Sequence, residues 1–154
     1  MNKTFGLLVG FFLLSQSVSL FAAPQAMDAK DFFETVQGDY EITGLVGNAK
    51  KPDGALANVF ADTDVASLTF PYCLKKDGLC VPGYIDLTYA DTRVDFEDLA
   101  DGTVQFTIQS KVAGVTSVYV WKQKGQDASF YNAQAKPDGV TAGLTHLLKR
   151  VANP

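Results

Sequence analysis

Histidine, cysteine and tryptophan are scarce in this chain, with one, two and one copies among 154 residues, and the signatures of most enzymes are missing. There is no Gly-x-Ser-x-Gly elbow, no His-Glu-x-x-His pair, no glycine-rich phosphate loop and no cysteine beside a base. His146 is the only imidazole and no nucleophile accompanies it by motif, so it reads as a surface or boundary residue rather than a general base. These absences point to a protein that is not an enzyme and needs neither cofactor nor metal. A basic excess is lacking too. All 17 acidic residues follow position 22, whereas Lys3 precedes it, which leaves 12 basic residues and a net charge of −5 for residues 23–154. That balance argues against nucleic acid and against anionic membrane surfaces as partners. After the first 22 residues no stretch of about 18 apolar residues could span a bilayer as a helix. The shortness of several strand-like segments, near six residues where a membrane strand needs about nine to eleven, also argues against an outer-membrane barrel.

What is present begins with those 22 residues, MNKTFGLLVGFFLLSQSVSLFA. Lys3 forms a basic start, Phe5 to Leu14 an apolar run, and Ala22 and Ala23 a small-residue site, the layout of an export signal. Cleavage between Ala22 and Ala23 is expected, since Pro24 would block a cut after Ala23. The remaining chain, 23–154, is of single-domain size and is expected to be periplasmic or secreted. In such an oxidising compartment Cys73 and Cys80, separated by Leu-Lys-Lys-Asp-Gly-Leu, are most simply each other's disulfide partners. Asp77-Gly78 between them is a tight-turn signal, so the bridge staples a short excursion. The spacing is not CxxC and His146 is far away in sequence, which disfavours a metal or redox pair.

Asp28 can cap a short helix from Ala29 to Gln37, stopped by Gly38, with Phe32, Phe33 and Val36 on one side. From Asp39 onward the pattern turns to period two, interrupted every eight to twelve residues by turn chemistry. Strands are expected near 39–46, 56–62, 65–72, 82–90, 93–98, 103–110, 115–123 and 128–134. Val104 to Gln109 alternates cleanly between apolar and polar, whereas Val118 to Trp121 is apolar on both faces and needs cover on both sides. Val140, Leu144, Leu147, Leu148 and Val151 recur at helical spacing, so a C-terminal helix over 140–151 is expected to pack outside Val118 and Val120. The fold class that results is mostly β, an antiparallel up-and-down meander of about eight strands. It would form a small barrel flanked by an N-terminal and a C-terminal helix; a two-sheet sandwich and an open sheet are the other arrangements that fit.

In layout, and in Gly38-Asp39-Tyr40, the chain resembles the lipocalin and calycin barrels. Those proteins place Gly-x-Trp at this point, and the resemblance implies that Tyr40 stands in for the tryptophan that closes the barrel floor beneath the helix. Trp121-Lys122-Gln123-Lys124-Gly125 resembles the closing Trp-x-Lys-Gly segment of small periplasmic lysozyme inhibitors, although their serine- and glycine-rich inhibitory loop has no counterpart here.

Aromatic side chains occur in nearly every expected strand, and in a barrel they either fill the core or line a pocket. If a pocket exists, Tyr40, Tyr89, Phe106, Ile108, Tyr119 and Trp121 are the residues expected to line it. The acidic group Asp91, Asp95, Glu97, Asp98 and Asp101 lacks the order of a calcium loop and reads as a solvated hairpin. The function expected first is an exported non-enzymatic module that holds a small hydrophobic or aromatic ligand inside a β-barrel; the alternative is a surface-acting periplasmic protein such as a hydrolase inhibitor or envelope assembly factor. In the second case a protein partner would meet the loops 47–54 or 74–79.

Overall fold

A computed structural model of the chain describes residues 23–133 and 143–152. In chain order the elements are β1 (Gln25–Met27), α1 (Ala29–Val36), β2 (Gly38–Val46), β3 (Ala49–Lys50), β4 (Leu56–Ala61), β5 (Val65–Thr69), β6 (Tyr72–Leu74) and β7 (Cys80–Val81). There follow β8 (Tyr84–Thr88), a single 3-10 turn (Tyr89–Asp91), β9 (Thr92–Asp98), β10 (Val104–Val112), β11 (Val115–Lys124), β12 (Asp127–Asn132) and β13 (Thr145–Arg150). Ten strands form one antiparallel sheet in the order β1-β9-β10-β11-β12-β13-β2-β4-β5-β8, and β3-β6-β7 form a separate small sheet. With β1 set aside, this order is the chain order cut between β8 and β9, so the meander runs almost full circle. It does not close. β8 and β9 are joined by the three-residue turn yet do not pair, and β9 pairs instead with β1, through Gln25↔Phe96 and Met27↔Val94. The expected closed barrel is therefore a curled sheet with one open seam.

The N-terminal helix matches its sequence signals. Asp28 accepts from the backbone N–H of Lys30 at 2.9 Å and of Asp31 at 3.3 Å, satisfying donors that the first turn leaves unpaired. Ala29, Phe32, Phe33 and Val36 form its buried side. That side packs on β4 and β5 from one end of the strand order and on β9 from the other, so α1 lies across the seam. Phe32 and Phe33 are fully buried there, each worth roughly 1.5–3 kcal/mol of apolar transfer.

The expected C-terminal helix is instead the strand β13, paired on both sides, with β12 through Phe130↔His146 and with β2 through Leu148↔Ile42. Leu144, His146 and Leu148 are buried while Leu147 is 40% exposed, a period of two in which the central inward residue is polar. Val140 lies outside the described residues. Because β13 is a member of the sheet two strands from β11, it does not cover Val118 and Val120, which stay half-buried on the outer face. A bulge between Leu147 and Leu148 leaves Thr43 without a partner residue, and the Thr43 hydroxyl donates to the Leu147 carbonyl at 3.2 Å.

Cys73 and Cys80 are directly opposed on β6 and β7 and form the disulfide. The loop between them folds tightly: the Leu74 N–H donates to Leu79 O at 2.8 Å, the Gly78 N–H to Leu74 O at 3.0 Å, and the Leu79 N–H to the Asp77 carboxylate at 3.0 Å. The chain returns to the main sheet past Gly83, which has φ +60° and lies where an added Cβ would come within 2.4 Å of Phe70 O, so only glycine fits.

Candidate functional site

Two regions compete as the working part of the molecule. The first is the concave side of the curled sheet, where the period-two strands aim their inward residues. Tyr40, Ile108, Tyr119 and Trp121 are brought together there, each at most 6% exposed. The Tyr40 and Trp121 rings meet edge to face with centroids 5.4 Å apart, and Tyr119 stacks on Phe130 at 5.6 Å. Phe106 and Tyr89 lie at the margin, half-buried, against α1: Phe106 is 4.8 Å from Phe32 and Tyr89 is stacked 6.1 Å from Phe33. The space among the six is thus occupied by Phe32, Phe33, Phe70 and Phe130, with Phe70 and Phe130 stacked face to face at 4.0 Å.

Hydroxyl and imidazole groups inside this cluster have distinct environments. Tyr40 Oη donates to the Val36 carbonyl at the end of α1, and burial raises its pKa against the opposing charge of Arg150. Arg150, at the end of the last strand, lies with its guanidinium carbon 6.0 Å above the Tyr40 ring and donates to Gln37 O and, at 3.3 Å, to Thr35 O. It therefore neutralises the free carbonyls of the helix C-terminus, where a cation is favoured. The Trp121 indole donates to Gln123 Oε1 at 2.9 Å. Tyr89 Oη is shielded from solvent without a hydrogen-bond partner among the described residues. The Asp62 backbone lies near enough to oppose the burial-driven rise of the Tyr89 pKa but not in hydrogen-bonding geometry.

His146 is 4% exposed rather than at the surface. Its Nε2 lies 3.2 Å from Pro71 O, which fixes the proton on that nitrogen, and its ring tilts against Phe70 at 5.3 Å. Burial lowers its pKa to about 4, with the Pro71 and Phe70 backbone acting the other way. Pro71 precedes β6, so this bond pins the start of the small sheet to the main one.

The second region is that small sheet and its loops. β3 pairs with β6 through Ala49↔Leu74 and Lys50↔Cys73, and Lys75 Nζ donates to Gly47 O at 2.9 Å. The loops 47–54 and 74–79, far apart in sequence, are therefore neighbours. Ala49 and Pro52 are buried and anchor the first loop, while Lys50, Lys51, Lys75 and Lys76 are exposed. Leu79 and Val46 are 60% and 57% exposed beside them.

No protein-family model, curated protein or solved structure significantly matches this chain. Function must therefore be argued from these two regions.

Three of the five acidic residues singled out in the sequence have internal partners. Asp95 is paired with Arg93 at 2.9 Å, and Glu97 accepts from Gln105 at 2.8 Å. Asp101 accepts from the Thr103 N–H and hydroxyl, both at 3.0 Å, which lowers its pKa. Among the described residues no group of three or more His, Cys, Asp or Glu side chains could hold a metal ion. An open cleft of about 410 Å³ beside the 3-10 turn is lined by Asp91, Arg93, Ser110 and Lys111 and touches none of the six inward residues. Among the described residues no helix is long and apolar enough to cross a membrane.

Reading the sequence alone sets His146 at the surface or boundary and leaves Arg150, Phe70 and Phe130 out of the inward set. Phe130 carried a usable signal, since Ala128 and Phe130 alternate with Ser129 in the way of a strand with one buried face.

Proposed function

We propose that this chain is an exported, non-enzymatic binding protein that acts through its surface, with the disulfide-stapled small sheet as its working end and the curled main sheet as a rigid mount. The observation that carries this reading is the aromatic packing of the concave side among the described residues. Phe32 from α1 is wedged 4.8 Å from Phe106 and 6.5 Å from Trp121, so a ligand there would have to displace a helix that is itself capped and anchored. The joined loops 47–54 and 74–79 support it from the other side, since they combine exposed charge and exposed apolar surface on a covalently fixed frame. Export is supported by the signal-like first 22 residues and by the disulfide. The deciding experiment is native mass spectrometry of the protein purified from the exported fraction. An empty chain starting at Ala23, two hydrogens lighter than its reduced form, is the expected result; a stoichiometric co-purifying lipid or aromatic compound overturns the reading.

One observation favours the calycin-like alternative, a small hydrophobic ligand under the sheet. The Tyr89 hydroxyl, unpartnered among the described residues at the half-buried margin near the seam, is a polar handle of the kind that orients a ligand. On that reading Phe33, stacked on Tyr89, would move aside, and the resemblance carried by Gly38-Asp39-Tyr40 would extend to function.

A further inference from the structure

We infer that the stapled end docks a protein segment in which acidic and apolar side chains alternate, an inference that rests on the surface-acting reading above. Four of the chain's 13 basic residues, Lys50, Lys51, Lys75 and Lys76, fall within the two adjoining loops, on a molecule whose overall charge is −4. The loops hold only two carboxylates, Asp53 and Asp77, and the Asp77 carboxylate is already committed to the Leu79 N–H. The working end is therefore locally positive while the rest of the surface is strongly negative. Among the described residues none of these four lysines has a carboxylate within ion-pair distance, in contrast to Lys30, paired with Glu34 at 3.8 Å, and Arg93, paired with Asp95.

Charge alone would describe a solvated loop. The apolar component is what marks a docking surface: Leu79 projects from the stapled loop at 60% exposure and Val46 from the adjoining strand end at 57%. Both stay exposed because the backbone beneath them is already fixed, by the Cys73–Cys80 bridge, by the Lys75 to Gly47 bond and by the buried Ala49 and Pro52. A surface ordered before binding loses little conformational entropy when it binds. The net charge of the remaining chain is negative, so the same asymmetry that attracts an acidic partner to the loops also helps to orient it. An anionic membrane surface is the less fitting occupant, because a flat negative sheet would also meet the acidic flanks.

The test titrates the ¹⁵N-labelled exported chain with a random copolymer of glutamate and tyrosine, with polyglutamate and with vesicles rich in phosphatidylglycerol, in separate experiments. Saturable copolymer binding is expected, with amide shifts confined to residues 47–54 and 74–79. Binding should weaken at least about tenfold between roughly 50 and 200 mM salt and by a similar factor in the double variant Lys51→Glu, Lys76→Glu. Leu79→Ser should weaken copolymer binding several-fold and leave polyglutamate unaffected. All three positions are exposed, so the fold should survive the changes, and the unchanged amide spectrum of the rest of the chain verifies that. Absence of binding, shifts centred on Lys111, Lys122 or Lys124, or a preference of the loops for vesicles would each overturn the inference. If the interior is empty by mass spectrometry and the copolymer fails, only the partner chemistry falls; a ligand found inside overturns the surface-acting reading itself.

Discussion

The two sheets are held by different means. The ten-stranded sheet owes its order to burial: helix α1 fills its concave side, and Phe32, Tyr40, Ile108 and Trp121 are all at most 1% exposed. The three-stranded sheet has almost no interior of its own, with Ala49, Pro52 and Cys73 its buried residues, and it is held by a covalent bridge, a short ladder and the His146 to Pro71 bond. The contrast teaches why the disulfide sits where it does. A segment whose lysines and Leu79 are exposed buries too little apolar surface to order itself, and a cross-link supplies rigidity without consuming that surface.

The sharpest way to break this contrast is to remove an aromatic from the large sheet. Phe32→Ala should destabilise the protein by about 3–5 kcal/mol in urea denaturation, because it empties the space between Phe106 and Trp121. A loss below about 1 kcal/mol would show that the interior is not close-packed and would favour the ligand pocket.

Next in size is the pH response of His146, which joins the two regions. The unfolded imidazole takes up a proton near 6.5 and the folded one only at about 4, so between these values the unfolded state holds more protons. Its contribution is complete above pH 6.5 and is lost as the pH falls toward 4, by roughly 3 kcal/mol in all. Chemical denaturation at several pH values should show this slope, and His146→Phe should flatten it while lowering stability at neutral pH through loss of the bond to Pro71. A slope of equal size in the variant would assign the acid sensitivity to other groups.

The smallest global effect should come from the bridge. Replacing Cys73 and Cys80 with serine removes at most about 2.5 kcal/mol by the chain-entropy estimate. Hydrogen exchange should locate the loss: amides of Leu74, Gly78 and Leu79 should exchange much faster while those of β10 and β11 keep their protection. Uniform acceleration would mean that the two sheets form one cooperative unit.

Much of the large sheet was legible because its residues obey a single period. Asp28, Phe32, Phe33 and Gly38 mark the helix by cap, stripe and stop, and Val104 to Gln109 mark a half-buried strand. The last strand was misread because Leu144, Leu147 and Leu148 satisfy helical spacing equally well. The true alternation, Leu144-His146-Leu148, is visible only if a histidine is allowed inside. β1, β3 and β7 are two or three residues long, too short to display any period, and β1 and β3 depend on partners distant in sequence. The open seam was equally hidden, since it depends on β1 taking the edge of β9 that β8 would need for closure. Of the six inward residues expected from the pattern, Tyr40, Ile108, Tyr119 and Trp121 meet in the core, and Phe106 and Tyr89 stand at its margin. That loops 47–54 and 74–79 adjoin could not be read, because it follows from a two-residue ladder and one lysine hydrogen bond.

The placement of β13 bears on the order in which this chain can acquire its shape. The strand is last in sequence, yet it lies between β12 and β2, and Arg150 at its end holds the carbonyls of the first helix. Until residues 145–150 arrive, the sheet is two unjoined pieces and α1 lacks its C-terminal partner. In a polypeptide that emerges N-terminus first this sheet would therefore stay unfinished until residues 145–150 are free. On the exported reading proposed above, this topological delay would keep the chain threadable.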